Sequence, residues 1–217
     1  MTEEEWLTCA DPKPKLEFLR GKASERKLRL FAVACCRRIW QLLPDERSRH
    51  AVEVAERYAD AQATEEELLA VGMDASAVPL NFSDMTSVNA TEAALYTTGP
   101  TRYLLDSRQP GLNPALNAGL AVSGNALNRE QRHQALLLRD LFGNPFRPIA
   151  VDPAWLTPTV VQLAQTIYDD RAFDRMPELA DALHDAGCHD ADILNHCRGL
   201  GPHVRGCWVV DLILGKQ

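Results

Sequence analysis

A chain of 217 residues with net charge −7, 46% apolar and 24% charged residues can bury the core of one large domain or two small ones. No run approaches the ~18 apolar residues of a membrane span, and the acidic start "MTEEEW" lacks the basic-then-apolar order of a signal peptide. The expectation is a cytoplasmic protein without membrane contact, its six cysteines reduced thiols rather than a disulfide framework.

Helix signals begin at once. Thr2 and Glu5 have the spacing of a capping box, in which hydroxyl and carboxylate each satisfy the other's backbone N–H. Asp11-Pro12 offers a cap and a first-turn proline, and Gly21 offers a left-handed stop. Ser24 caps the clearest helix, "SERKLRLFAVACCRRIWQLL", which should run to Pro44. Leu28, Phe31, Cys35, Ile39 and Leu42 form one apolar stripe and Ala32, Cys36, Trp40 and Leu43 an adjacent one, with Arg29, Arg37 and Gln41 opposite. Adjacent helical residues cannot form a disulfide without breaking the helix, so Cys35 and Cys36 read as core. A shorter helix should turn Ala51, Val54, Ala55 and Tyr58 inward, and Thr64 with Glu67 repeats the capping box.

From Gly72 to Asn128 the prolines, glycines and small polar residues suggest a less regular connector, in which "TEAALY" and "LNAGLAVSG" read equally as short helices or loops. Periodicity returns in "REQRHQALLLRDLF", with Ala135, Leu138, Leu141 and Phe142 on one side and Gly143 as its stop. The proline-rich stretch after it reads as extended, pinned by Phe146 and Trp155. Three more starts follow, at Thr157-Pro158, Pro177 and Asp190, and Pro202 should open a last helix, "HVRGCWVVDLIL". Strand alternation is absent beyond a few residues. The fold expected is all-α, a bundle-like helical array, with an N-terminal part (1–71), a connector (72–128) and a C-terminal part (129–217) that can pack as one domain.

Chemistry concentrates in "DAGCHDADILNHCRGLGPHVRGCWVVD", residues 185–211, which holds three of the six cysteines and three of the six histidines. Zinc takes four Cys or His donors converging in a tetrahedron, usually from paired short spacings. The best set by sequence combines Cys188, His196 or Cys197, His203 and Cys207, the last two one turn apart if they share a helix. Against it, no pair has the short C-x₂-C spacing, and His196 and Cys197 point ~100° apart on a helix. Core packing explains the same residues with no cofactor, since free cysteine is among the most buried residue types. Cys188, just before the helix capped by Asp190, is the best nucleophile, but that aspartate opposes a thiolate. No phosphate-binding glycine loop occurs. The carboxylate runs Glu3–Glu5 and Asp169-Asp170 read as solvated helix ends.

Residues 13–49 carry eleven Lys and Arg against four acids, +7 against −14 for the rest of the chain. A basic segment can bind nucleic acid, yet no stacking aromatics are interleaved here, so a protein partner is favoured over nucleic acid. The strings "MTEEEWL…LEFLRGKASERKLRLFAVACCRRIW" and "FGNPFRP…DPAW…IYDDRAFDRMPELADALHDAGC…ILNHCRG…GPHVRGCWVVDLILGK" resemble a family of paralogous, uncharacterised proteins of planctomycete bacteria. The resemblance covers about 60 residues at the start and about 75 at the end. It implies a bacterial cytoplasmic protein and brings no activity or site residue with it. The middle departs from that family's Ala- and Trp-rich helical repeats. The sequence therefore favours a non-enzymatic helical interaction or scaffold protein. A zinc-stabilised regulatory module and nucleic-acid binding through residues 13–49 are the alternatives. Oligomeric state has no signal.

Overall fold

The structure, a computed structural model, describes residues 1–81, 83–101, 114–122 and 125–216. The protein is all-α, with twelve α-helices and no strand among the described residues. No described helix is long and apolar enough to cross a membrane. The chain divides into two compact units, one formed by Met1 and Thr8–Ala135, the other by Thr2–Leu7 and Leu136–Gln217. The expected connector, 72–128, contributes helices to the first unit, and its residues 82, 102–113 and 123–124 lie outside the described ones.

Helix α1 (Glu3–Thr8) carries the capping box in full: Glu5 N–H donates to Thr2 Oγ1 at 3.2 Å and Thr2 N–H to Glu5 Oε2 at 2.7 Å. In the first unit, α2 (Pro12–Leu19) starts where the Asp11 carboxylate accepts the Lys13 N–H at 3.0 Å, and Gly21 follows it at φ 70°. Helix α3 (Glu25–Arg38) is capped by Ser24 and stops earlier than periodicity predicts, passing into a 3₁₀ turn at Trp40–Leu42. Residues Leu28 to Cys36 are buried without a break, both cysteines included. Arg29 was expected on the solvated side of α3 and is instead buried, donating to the backbone carbonyls of Thr97 and Gly99. Those carbonyls close a helix end, so the guanidinium supplies donors that the backbone lacks there.

Helix α4 (Glu46–Ala59) packs against α3, α5 (Glu65–Ser76) and α6 (Met85–Thr97), burying Ala51, Val54 and Ala55 and half-burying Tyr58. At the start of α5 the expected box recurs, with the Thr64 N–H pulling more weakly on the Glu67 carboxylate than Arg57 does. Thr64 Oγ1 accepts the Glu67 N–H at 3.1 Å, and the Glu67 carboxylate also pairs with Arg57. The "TEAALY" segment lies in α6, where Ala90, Ala93 and Ala94 have no exposed surface, and α7 (Pro114–Leu120) packs against it. Small side chains let these helices approach closely.

Helix α8 (Asn125–Phe142) contains the boundary between the units and ends at Gly143, φ 60°. In the second unit, α9 (Pro158–Asp170), α10 (Met176–Asp185), α11 (Ala191–Arg198) and α12 (Trp208–Leu214) surround a core that includes Val160, Ile167, Met176, Leu179, Ile193 and Val210. Trp6, fully buried, donates its indole N–H to the Gly143 carbonyl at 2.8 Å. Arg139 donates to the Leu7 carbonyl, and Glu3 meets Asn144 and Arg147, so Thr2–Leu7 are fastened to the second unit. Trp155 packs on the core as expected, and Phe146 is 36% exposed.

The last helix is shorter than its sequence promised. Residues 202–207 are not helical, and α12 begins only at Trp208. Gly206 at φ 89° provides the break. Upstream, the Asp190 carboxylate accepts the N–H groups of both Asp192 and Ile193 and so starts α11. Asp190→Ala should cost about 1 kcal/mol, read as a lower urea midpoint at unchanged slope.

Candidate metal centre

Three of the five candidate ligands are brought together, and a fourth donor joins them that the sequence did not indicate. Asp140, His196, His203 and Cys207 present one ligand atom each, all within 4.8 Å of one another. Asp140 comes from the last turn of α8 and His196 from α11, while His203 lies midway along the loop that leads into α12 and Cys207 at its end. His203 Nδ1 lies 2.8 Å from Asp140 Oδ1, and His196 Nε2 lies 3.2 Å from both Asp140 Oδ1 and Cys207 Sγ. Cys207 Sγ is 4.0 Å from His203 Nδ1. A zinc tetrahedron with bonds of 2.0–2.3 Å has edges of about 3.3–3.7 Å, so these separations bracket the right size.

The loop makes the convergence without a shared helix. His203 and Cys207 were expected one turn apart on α12; instead the non-helical segment folds them onto α8. There the Asp140 carboxylate accepts the Val204 N–H at 3.0 Å through its second oxygen. That bond leaves Oδ1 for the cluster. His196 packs against the His203 and Trp208 rings, with centroids 4.8 and 5.2 Å away, which fixes its plane.

Burial differs across the cluster. Cys207 is fully buried and the Asp140 side chain is 2% exposed, whereas His196 retains 19%. Burial pushes the Asp140 carboxyl up, but hydrogen bonds and charge from His196 and His203 outweigh it and hold it below its ordinary range. Burial, with the Asp140 charge beside it, pushes the Cys207 thiol well up, against the pull of the Val210 and Val209 N–H groups. Imidazole protons on His203 Nδ1 and His196 Nε2 can hold the cluster by donating to Asp140 Oδ1. A divalent ion would replace them and draw the thiol proton off. His203 Nε2, the ring nitrogen turned from the cluster, is buried without a partner among the described residues.

Cys188 and Cys197 do not join. Both are fully buried in the core of the second unit. Cys197 neighbours His196 on α11, and their divergence sends one side chain to the cluster and the other to the core. Burial pushes the Cys197 thiol up to about 12 and raises that of Cys188 as well, which removes Cys188 as an activated nucleophile. Cys35 and Cys36 are likewise buried, their thiols raised mainly by burial.

In the basic segment much of the positive charge is met locally. Arg20, Arg26, Arg37, Arg38, Arg47 and Arg49 pair with Glu17, Asp60, Glu56, Glu130, Asp45 and Glu46. Comparison with protein-family models, curated proteins and solved structures gives no match.

Proposed function

We propose that the second unit is a zinc-stabilised helical module whose metal is held by Asp140, His196, His203 and Cys207. The observation that carries this reading is the convergence of four donors of three chemical kinds within 4.8 Å, from three stretches of chain. One thiolate, two imidazoles and one carboxylate form a mixed set that suits zinc, and four protein ligands characterise a structural site. The ion would tie the end of α8 to α11 and to the loop before α12. This reading places zinc above the scaffold and nucleic-acid alternatives, for which no comparable constellation speaks.

Elemental analysis of protein purified without a histidine tag tests it. One zinc per chain is the expected result, falling to background in His196→Ala and Cys207→Ser proteins that remain folded. Metal-free protein that gains no thermal stability on adding zinc would rule the site out.

A further inference from the structure

A cavity of about 360 Å³ opens beside the cluster, within the second unit. Its wall includes Asp140, His196 and His203, and not Cys207. The metal position is thus sealed on its sulfur side and approachable past the imidazoles, in keeping with the partial exposure of His196. The volume is at the small end of ligand pockets, enough for a compact organic molecule.

The remaining wall has two characters. Leu7, Leu136 and the Trp208 ring supply an apolar side, while Arg139 lies next to the metal-binding aspartate in the chain and lines the same space. Arg139 gives one donor to the Leu7 carbonyl; a guanidinium has five, so donors remain. Arg147 also lines the cavity but is paired with Glu3, and Asp192 stands exposed at the rim. One available guanidinium next to an apolar wall matches a carboxylate, whose two oxygens fit the guanidinium fork. A phosphate dianion would call for more positive charge than this wall offers.

We propose that this cavity binds a small organic carboxylate, one oxygen reaching the metal from the His196 side and the other held by Arg139, with the hydrocarbon part against Leu136 and Trp208. Structural zinc sites are closed at four ligands, but zinc can expand to five, and the face framed by Asp140, His196 and His203 is the one open to the cavity. The inference rests on the metal reading above.

Cobalt(II) replaces zinc as a spectroscopic probe in the full chain. Thiolate-to-cobalt charge transfer reports Cys207, and the d–d bands report coordination number. Titration with butyrate should weaken the d–d bands as coordination rises from four to five, with the charge-transfer band retained. Arg139→Gln should raise the butyrate concentration needed by roughly tenfold or more, the loss of a charged hydrogen bond. Asn195→Trp, which fills the cavity from its exposed rim, should abolish the response and leave the cobalt spectrum itself intact. A cobalt spectrum that butyrate leaves unchanged overturns the carboxylate site while the metal site stands. A change produced by inorganic phosphate and not by butyrate overturns the ligand class. Absence of any thiolate–cobalt band overturns the metal reading and this inference together.

Discussion

Stripping zinc from the folded chain should lower the melting temperature of the second unit while that of the first unit stays where it is. A ligand present at a thousand times its dissociation constant stabilises by about 4 kcal/mol, and a domain of this size shifts by about 4–8 °C per kcal/mol. The transition of the second unit should therefore fall by roughly 15–30 °C on chelation and return when zinc is restored. Helical circular dichroism should decline in two steps, the lower of them alone sensitive to chelator. Physical grounds for the size of the effect lie in the loop at 199–207. It has little regular hydrogen bonding of its own, and Asp140 supplies the side-chain anchors that the structure shows for His203 and Val204. Protein carrying His196→Ala should start at the lower temperature and ignore the chelator. A single transition indifferent to both chelator and zinc would contradict the proposal.

Replacing Asp140 should be the most damaging single substitution near the cluster. Its side chain, 2% exposed, accepts from His203, His196 and the Val204 N–H. Asp140→Ala leaves those donors facing an apolar gap, and removal of one member of a buried charged pair costs about 3–5 kcal/mol. Asp140→Asn preserves shape and one acceptor for Val204, so it should cost less, yet it loses the anionic ligand and should bind zinc poorly. Urea denaturation with and without zinc separates the two contributions. The cost of Asp140→Ala should be larger in zinc than in chelator, because only the zinc-loaded wild type has a metal bond to lose. Equal costs in both conditions would mean that the carboxylate serves the histidines alone.

Local signals were legible and distant ones were not. The caps at Asp11, Ser24, Thr157 and Asp190 were readable because each is a hydrogen bond spanning two or three residues. His196, His203 and Cys207 could be grouped because they lie within a dozen residues. Asp140 was missed, being 56 positions before His196 and looking like an ordinary polar residue in "LLLRDLF". Its one available signal was a carboxylate in a helix turn where Leu137, Leu138 and Leu141 are all buried, a place where a charge needs a reason. Cys188 and Cys197 show the converse. Spacing could not tell a ligand from a buried thiol, because the direction of a side chain depends on which side of its helix meets the core. Gly206 was the signal against a continuous last helix, and the apolar run after it concealed that.

The attachment of Thr2–Leu7 to the second unit bears on the order of events during synthesis. At translation rates of about 5–20 residues per second, roughly 7–27 s separate the emergence of Trp6 from that of Gly143, whose carbonyl takes its indole N–H. Throughout that interval the first unit can assemble while the indole waits in water. The segment Thr2–Leu7 thus finds shelter only after the whole first unit has been made, among residues that follow that unit in the chain.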